Sequence, residues 1–340
     1  MNEFNVAAID LGSFKITGAV AKKSDTGIEL LAVEEEPASG GIVKGRIKDT
    51  DAIVLQMNRI LRKLCNVTGI KGITSCYVIW QNHLDDTEAA KALEKKMKTT
   101  KLIFPSVSSI SMISQTFIPS DERETGCIAI DFGDTATSYT YIENQTPKIE
   151  KVIPGGSSNI TKDLMSIFNY DFKLAETLKL KLGKAIYQNE PDRYIQLSKD
   201  PNNKIRHSEL SGYISQRVDD IFKYVLAPLQ KNHWNSNRSR VIYITGGGSA
   251  LQQMEKYLNT HSGLTSKTLK PRDTAFSGDN AAKLLSPKYT ALAALILGAD
   301  KRCDEVIEKP GFFSRGLKKF INKGTNTTKN IFDVPDEEKF

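Results

Sequence analysis

One sixteen-residue phrase occurs twice in this chain, and no other feature narrows its fold as much. Residues 6–21 read VAAIDLGSFKITGAVA and residues 127–142 read CIAIDFGDTATSYTYI. In each, an apolar run ends in a carboxylate, Asp10 or Asp131, and a glycine follows two residues later, Gly12 or Gly133. Both copies read as strand, carboxylate, tight turn, strand. A third segment, residues 241–251 (VIYITGGGSAL), is a buried-type strand running into three glycines and a serine. That composition lets backbone N–H groups approach a ligand at a following helix N-terminus. The offset of 121 residues between Asp10 and Asp131 predicts two related α/β halves.

The 340 residues suffice for a full hydrophobic core and predict two domains. With 39% hydrophobic and 26% charged residues the composition is that of a soluble globular protein. Cys65, Cys76, Cys127 and Cys303 lie far apart with no CxxC pair. This fits buried thiols in a reducing compartment better than disulfides or a zinc site. His83, His207, His233 and His261 are equally scattered, which argues against a histidine-rich metal centre. The N-terminus enters a strand at once with no basic-then-apolar leader, an argument against secretion. The longest apolar stretch, Ala291–Ala299, is too short to span a bilayer. A cytoplasmic protein that does not cross a membrane is expected. The net charge of +7 is modest and no basic run is interleaved with aromatics, so no nucleic-acid groove is expected.

Along the chain, strands are predicted at 6–10, 15–21 and 28–35, a helix at 51–65, a strand at 75–80, a helix at 87–98 and a strand at 101–104. The second Asp-x-Gly unit opens an equivalent series of strands at 128–131, 137–142 and 148–153, then a helix from about Ser158. Helices follow at 173–182, 208–232 and 287–297. A phosphate chain carried with magnesium needs carboxylates on the metal or its waters, and backbone N–H groups on its oxygens. Asp10 and Asp131 supply the first and the turns after them the second. Ser13 adds a hydroxyl and Lys15 a positive charge. One D-x-G is a weak signal; two in register, with Thr245-Gly246-Gly247-Gly248-Ser249 downstream, are a strong one.

These residues resemble the actin-like ATPases, the superfamily of sugar kinases, DnaK-type chaperones, MreB and FtsA. The resemblance implies an actin-like fold of two duplicated RNase H-like domains with a nucleotide cleft between them. It assigns residues 1–150 to the first domain, with helix 286–300 returning to it, and residues 151–285 to the second. Asp10-Leu11-Gly12-Ser13-Phe14-Lys15 resembles the first phosphate motif, Asp131-Phe132-Gly133 the start of the second, and Thr245–Ser249 the adenosine motif. Ala175-Glu176-Thr177-Leu178-Lys179 is similar to the helix whose Glu and Lys reach the nucleoside, though the same pair also suits a solvated helix face. The implied cofactors are ATP and Mg2+. The implied binding set is Asp10, Gly12, Ser13, Lys15, Asp131, Gly133, Thr137, Gly155, Gly156, Glu176, Lys179, Gly246, Gly247, Gly248 and Ser249, with magnesium held by Asp10 and Asp131 through water. Within the superfamily the strings Gly41-Ile42-Val43-Lys44-Gly45, Glu124-Thr125-Gly126, Pro154–Asp163 and Leu285–Ala291 resemble FtsA, the division protein that binds ATP, polymerises and tethers FtsZ to the membrane.

The pattern departs from that family in two places. Only about twenty residues separate Trp80 from Leu102, room for one helix and not for the family's inserted 1C domain, which puts FtsA-type polymerisation in doubt. The second phosphate motif loses its glycine run to Asp134 and its last acid to Ser138. A carboxylate about 4 Å from one phosphate charge costs about 4 kcal/mol at an effective dielectric of 20. Asp134 therefore turns outward, faces magnesium, or impairs ATP binding. Glu88 is the one candidate catalytic carboxylate for orienting an attacking water.

Near the C-terminus, Phe313, Leu317, Phe320 and Ile321 fall on one face of a helix over residues 312–323, with Phe312 beside them and Lys318 and Lys319 among the basic residues of the other face. A helix packed on its own domain has the same periodicity, but the basic face favours an anionic membrane surface. Residues 301–311 read as a linker and 324–340 as a disordered tail. The expected protein is an FtsA-like, ATP-binding adaptor, at most a slow ATPase, peripheral on the inner face of the cell membrane. Its expected partners are FtsZ or other division proteins and further copies of itself, and no nucleic acid. A PilM-like peptide-binding adaptor and a small-molecule kinase are the alternatives.

Overall fold

The computed structural model describes residues 3–187, 192–197, 204–233 and 240–304. In the first half, β1 (Phe4–Leu11), β2 (Lys15–Ser24) and β3 (Gly27–Pro37) form an antiparallel meander. A two-rung hairpin, β4 (Ile42–Val43) and β5 (Arg46–Ile47), leads into α1 (Thr50–Thr68). Then β6 (Ser75–Ile79) pairs parallel to β1, and β7 (Lys101–Ile103) pairs parallel to β6 across α2 (Thr87–Lys96). Two helices, α3 (Ser109–Phe117) and α4 (Ser120–Thr125), connect to the second half.

There the plan repeats. Strands β8 (Cys127–Phe132), β9 (Thr137–Glu143) and β10 (Thr146–Ile153) form a meander, followed by α5 (Ser157–Phe168) and α6 (Phe172–Leu182). After the β11 (Tyr194–Gln196) and β12 (Lys204–Arg206) hairpin come α7 (His207–His233), β13 (Val241–Thr245), α8 (Met254–Ser262), β14 (Thr265–Thr268) and α9 (Thr290–Gly298). The sheet orders β3-β2-β1-β6-β7 and β10-β9-β8-β13-β14 are the same order written twice. The register repeats too: Asp10 lies opposite Thr17 and Ile79, and Asp131 opposite Ser138 and Thr245.

Three apolar layers build the fold, and the middle one joins the halves. The near-continuous apolar runs of β1 and β8 are what central strands buried on both faces require. Helix α1 starts where the Asp49 side chain accepts from Ala52 N at 3.0 Å, and stops at Gly69, whose φ of 74° is left-handed. It buries Ile53, Met57, Ile60 and Leu64 on the outer face of the first sheet. Helices α5 to α8 cover the outer face of the second sheet. Between the sheets lie α3 and α9, packed against Val6 and Ala8 of β1 and Cys127 and Ala129 of β8. Apolar on nearly every side, α9 suits this enclosed position.

The second sheet opens at Cys127, upstream of the division drawn at residue 150 from sequence, because the second Asp-x-Gly turn belongs to its first strand. One helix, α2, fills the segment between Trp80 and Leu102. Of the four thiols, Cys76, Cys127 and Cys303 are buried and Cys65 partly so, all unpaired. No described helix is long and apolar enough to cross a membrane. The segment 312–323 and its residues Phe312, Phe313, Leu317, Lys318, Lys319, Phe320 and Ile321 lie outside the described residues, as does the tail.

Candidate functional site

Strand alternation decides where the two carboxylates point. Side chains two apart share a face of a strand. Asp10 therefore shares the face of Val6 and Ala8, and Asp131 that of Cys127 and Ala129, the faces turned toward the middle layer. Where that layer ends, a cavity of about 420 Å³ opens, large enough for a small-molecule ligand. Asp10, Gly12, Ser13, Lys15, Asp131 and Gly133 line it, with Glu176, Lys179 and Gly246–Gly248.

The two turns touch: Thr135 N donates to Ser13 Oγ at 3.2 Å. Their glycines are steric necessities, since a Cβ on Gly12 would stand 2.6 Å from Lys15 O and one on Gly133 2.7 Å from Ala136 O. A Cβ on Gly247 would meet nothing within 4 Å, so this backbone is bare toward the cavity. The four other expected binding residues stand behind the lining. Thr137 Oγ1 donates to Gly155 O at 2.7 Å, Gly156 packs against the Asp134 carbonyl, and Ser249 Oγ donates to Gly246 O at 2.7 Å. The glycine run enters a single 3-10 turn, Gly247–Ala250, and α8 begins only at Met254, so the helix N-terminus expected directly after it is absent.

Burial, then the Asp131 charge, pushes the Asp10 carboxyl up to about 7, and burial pushes Asp131 up to about 6. Burial also raises Asp134, which lines the same cavity and faces Ser13. Of the three outcomes open for Asp134, turning outward is therefore not the one adopted. Ser138, opposite Asp131, is fully buried, and its hydroxyl has no hydrogen-bond partner among the described residues. Glu88 is not brought to the cavity; it sits exposed in the first turn of α2. That helix runs from the end of β6 back toward the start of β7, and this carries its outer face away from the turns.

Gln81, which sequence reasoning did not single out, stands at the cavity where Glu88 does not. It follows β6, lines the cavity, and donates from Nε2 to Asp131 Oδ2 at 3.1 Å. The duplication is the signal for it, because Gln81 in the first half corresponds in register to Gly247 in the second. Lys15 is equally unforeseen in its pairing. Its Nζ is 2.8 Å from Glu35 Oε1 and 3.8 Å from the centre of the Tyr289 ring, and the Tyr289 hydroxyl donates to the same carboxylate.

Glu176 and Lys179 form an ion pair at 2.8 Å in the cavity floor. Lys179 is 3% exposed and also donates to Thr161 Oγ1 at 3.0 Å and Ser157 O at 3.3 Å. Removing one partner of such a pair strands the other. Glu176→Gln, which leaves the buried Lys179 charge without its counterion, should lower unfolding stability by about 3 kcal/mol in urea titrations, and Lys179→Met, which strands the more water-accessible Glu176, by about 2 kcal/mol. A loss below about 1 kcal/mol from either would contradict this arrangement.

A family model described as Cell division protein FtsA matches residues 128–294. FtsA of Neisseria meningitidis serogroup B is 24% identical over 251 residues, 71% of this chain and 58% of that protein. FtsA of Streptococcus pneumoniae serotype 2 is 25% identical over 240 residues, 68% of this chain and 52% of that protein. The chain thus spans about half the length of these curated relatives. Among solved structures, MreB5 of Spiroplasma citri bound to ADP matches with a TM-score of 0.60 and 17% identity, over 94% of this chain and 99% of that one. A chain of a PilM-PilN type IV pilus biogenesis complex matches with a TM-score of 0.65 and 12% identity, over 87% of this chain and 99% of that one. At these identities the structures bear on fold alone, and the fold is actin-like.

Proposed function

We propose, from the premise that this chain is FtsA-like in sequence and actin-like in fold, that it binds ATP with magnesium between its two halves and acts as a membrane-bound adaptor for a division partner, FtsZ or a related protein. One observation carries the nucleotide reading: carboxylates from two duplicated turns converge on one cavity whose wall beside Asp131 is bare glycine backbone. The donor set fits the metal. Two carboxyls raised by burial, Asp10 also by the charge of Asp131, gain from a divalent cation between them and a phosphate chain, and magnesium is held through few carboxylates plus water. Bound magnesium would neutralise phosphate charge. Gln81 holds Asp131 in place, Ser13 and Thr135 join the two turns, and Glu176 and Lys179 supply polar groups for the nucleoside.

Nucleotide exchange, with slow turnover at most, is the switch in this reading. Titration with a fluorescent ATP analogue should give saturable binding that magnesium tightens, and Asp131→Asn should weaken it by about tenfold or more, the effect of losing about 1.4 kcal/mol or more. Absence of binding at millimolar nucleotide would remove the reading. Phosphorylation of a small acceptor faster than about 1 s⁻¹ would favour a kinase instead. The adaptor role rests on the FtsA-like sequence and on the amphipathic pattern of residues 312–323. Cosedimentation with FtsZ supports it; binding only a short membrane-protein peptide supports a PilM-like role.

A further inference from the structure

At the end of the first sheet away from the cavity, where β1, β6 and β7 begin, four lysines gather without counterions. Lys71, Lys98, Lys101 and Lys301 are all exposed, and none has an ion-pair partner among the described residues. Backbone contacts fix their proximity: Lys101 N donates to Thr74 O at 2.8 Å, Thr100 Oγ1 to Ile73 O at 2.8 Å, and Ser75 Oγ to Arg302 O at 2.7 Å. Of the acids at this end, Glu3 is engaged with Lys22, Asp300 with the Tyr77 hydroxyl, and Asp304 with Arg302 and Asn5, which leaves exposed Asp25 and Glu94 against the four lysines.

The chain leaves the described fold at this same spot. Thr74 N donates to Cys303 O at 2.7 Å and Cys303 N to Asn5 O at 2.8 Å, which pins the strand ends to the last described residues. Seven residues lie between Asp304 and Phe312, where the amphipathic pattern starts, and the eight backbone steps from one to the other span at most roughly 29 Å. A fold tethered by 312–323 thus cannot carry this pole far from the tethering surface. Screening limits attraction to about 8 Å at physiological salt, and a tether of roughly 29 Å lets this face come within that range without holding it there.

We infer that the pole formed by Lys71, Lys98, Lys101 and Lys301 docks on an anionic lipid bilayer, as a second contact that orients the fold once the C-terminal segment has inserted. This rests on the tether reading above and deepens it. The geometry leaves the cavity, at the opposite end of β1 and β6, facing away from the lipid and open to nucleotide. Weak contacts that are linked act at high effective concentration, so four modest charges add to one short helix more than either achieves alone.

The test is vesicle flotation of the full chain on phosphatidylcholine vesicles containing about 30% phosphatidylglycerol, at low and high salt. Three variants accompany it: Lys71→Gln/Lys98→Gln/Lys101→Gln/Lys301→Gln; a charge-matched control on the second half, Lys148→Gln/Lys151→Gln/Lys173→Gln/Lys256→Gln; and Phe313→Asp/Leu317→Asp/Phe320→Asp. The pole variant should bind at least about tenfold more weakly than the parent, with a flatter salt dependence, and the control should bind nearly as the parent does. All eight lysines are exposed, and an unchanged melting temperature verifies that each variant folds. A pole variant that floats like the parent, or a control that loses as much, overturns the inference while leaving the tether standing. Retained flotation of the segment variant overturns the tether reading instead, and a parent that never floats overturns both.

Discussion

Asp10→Asn should give a protein that is more stable than its parent at pH 8 and yet no longer binds nucleotide in a magnesium-dependent way. The folded carboxyl is raised to about 7, first by burial and then by Asp131, whereas in the unfolded chain it titrates near 3.9. Between those values the folded state holds the proton more tightly, so this group's contribution is fully present below about pH 4 and is lost as pH rises through about 7. Above pH 7 the folded protein carries a poorly solvated charge that asparagine does not. Full conversion of the shift gives about 4 kcal/mol; the cavity is open to water, which reduces the expected gain at pH 8 to about 2 kcal/mol, with none near pH 4. Asp131 shows the same sign over a narrower window, ending near 6, and the two carboxyls titrate as a pair. Magnesium and ATP should restore the parent at pH 8 by mass action and leave Asp10→Asn unmoved. Urea unfolding at pH 4.5, 6 and 8, with and without magnesium and nucleotide, decides it. A variant less stable than its parent at pH 8, or one that magnesium and nucleotide still stabilise, would show that Asp10 is a turn former and not a ligand.

The duplication makes most of this candidate site legible in the sequence. An apolar run ending in Asp and a tight turn admits few geometries, and its repetition at one offset fixed the relation between the halves, down to Thr17 and Ser138 opposite the two aspartates. Periodicity located α1, α6 and α7 because each carries one apolar stripe. It missed α3, whose serine-rich sequence looks like loop until the middle layer buries Ile110, Ile113 and Phe117. Long-range pairings were invisible for a different reason. No local pattern relates Lys15 to Glu35 and Tyr289, or Gln81 to Asp131, since strand order and the return of the chain before α9 create those contacts. Glu88 illustrates the opposite error. A carboxylate at the right sequence distance was assigned to the site, and the course of α2 takes it away.

The glycine run after β13 yields the largest expected loss. Gly246 has φ 86° and ψ 169°, a region that is essentially reserved for glycine. A Cβ there would stand 2.2 Å from Asp131 Oδ1 and 2.7 Å from Phe132 O. The carboxylate has little room to retreat, because Gln81 holds its other oxygen at 3.1 Å, and the carbonyl belongs to a paired strand. Backbone strain of about 2 kcal/mol and forced overpacking of about 2 kcal/mol add in Gly246→Ala, for a loss of about 4 kcal/mol in unfolding stability. Nucleotide binding should disappear with it, since the displaced group is the proposed metal ligand. Gly247→Ala separates the two causes: its Cβ meets nothing in the fold, so stability should change by less than about 1 kcal/mol, and affinity should fall only because the methyl group occupies ligand space. Parallel urea titrations and nucleotide titrations of the two variants measure both quantities. If Gly247→Ala leaves affinity untouched, the ligand does not approach this backbone, and the cavity is doing something other than holding a nucleotide against it.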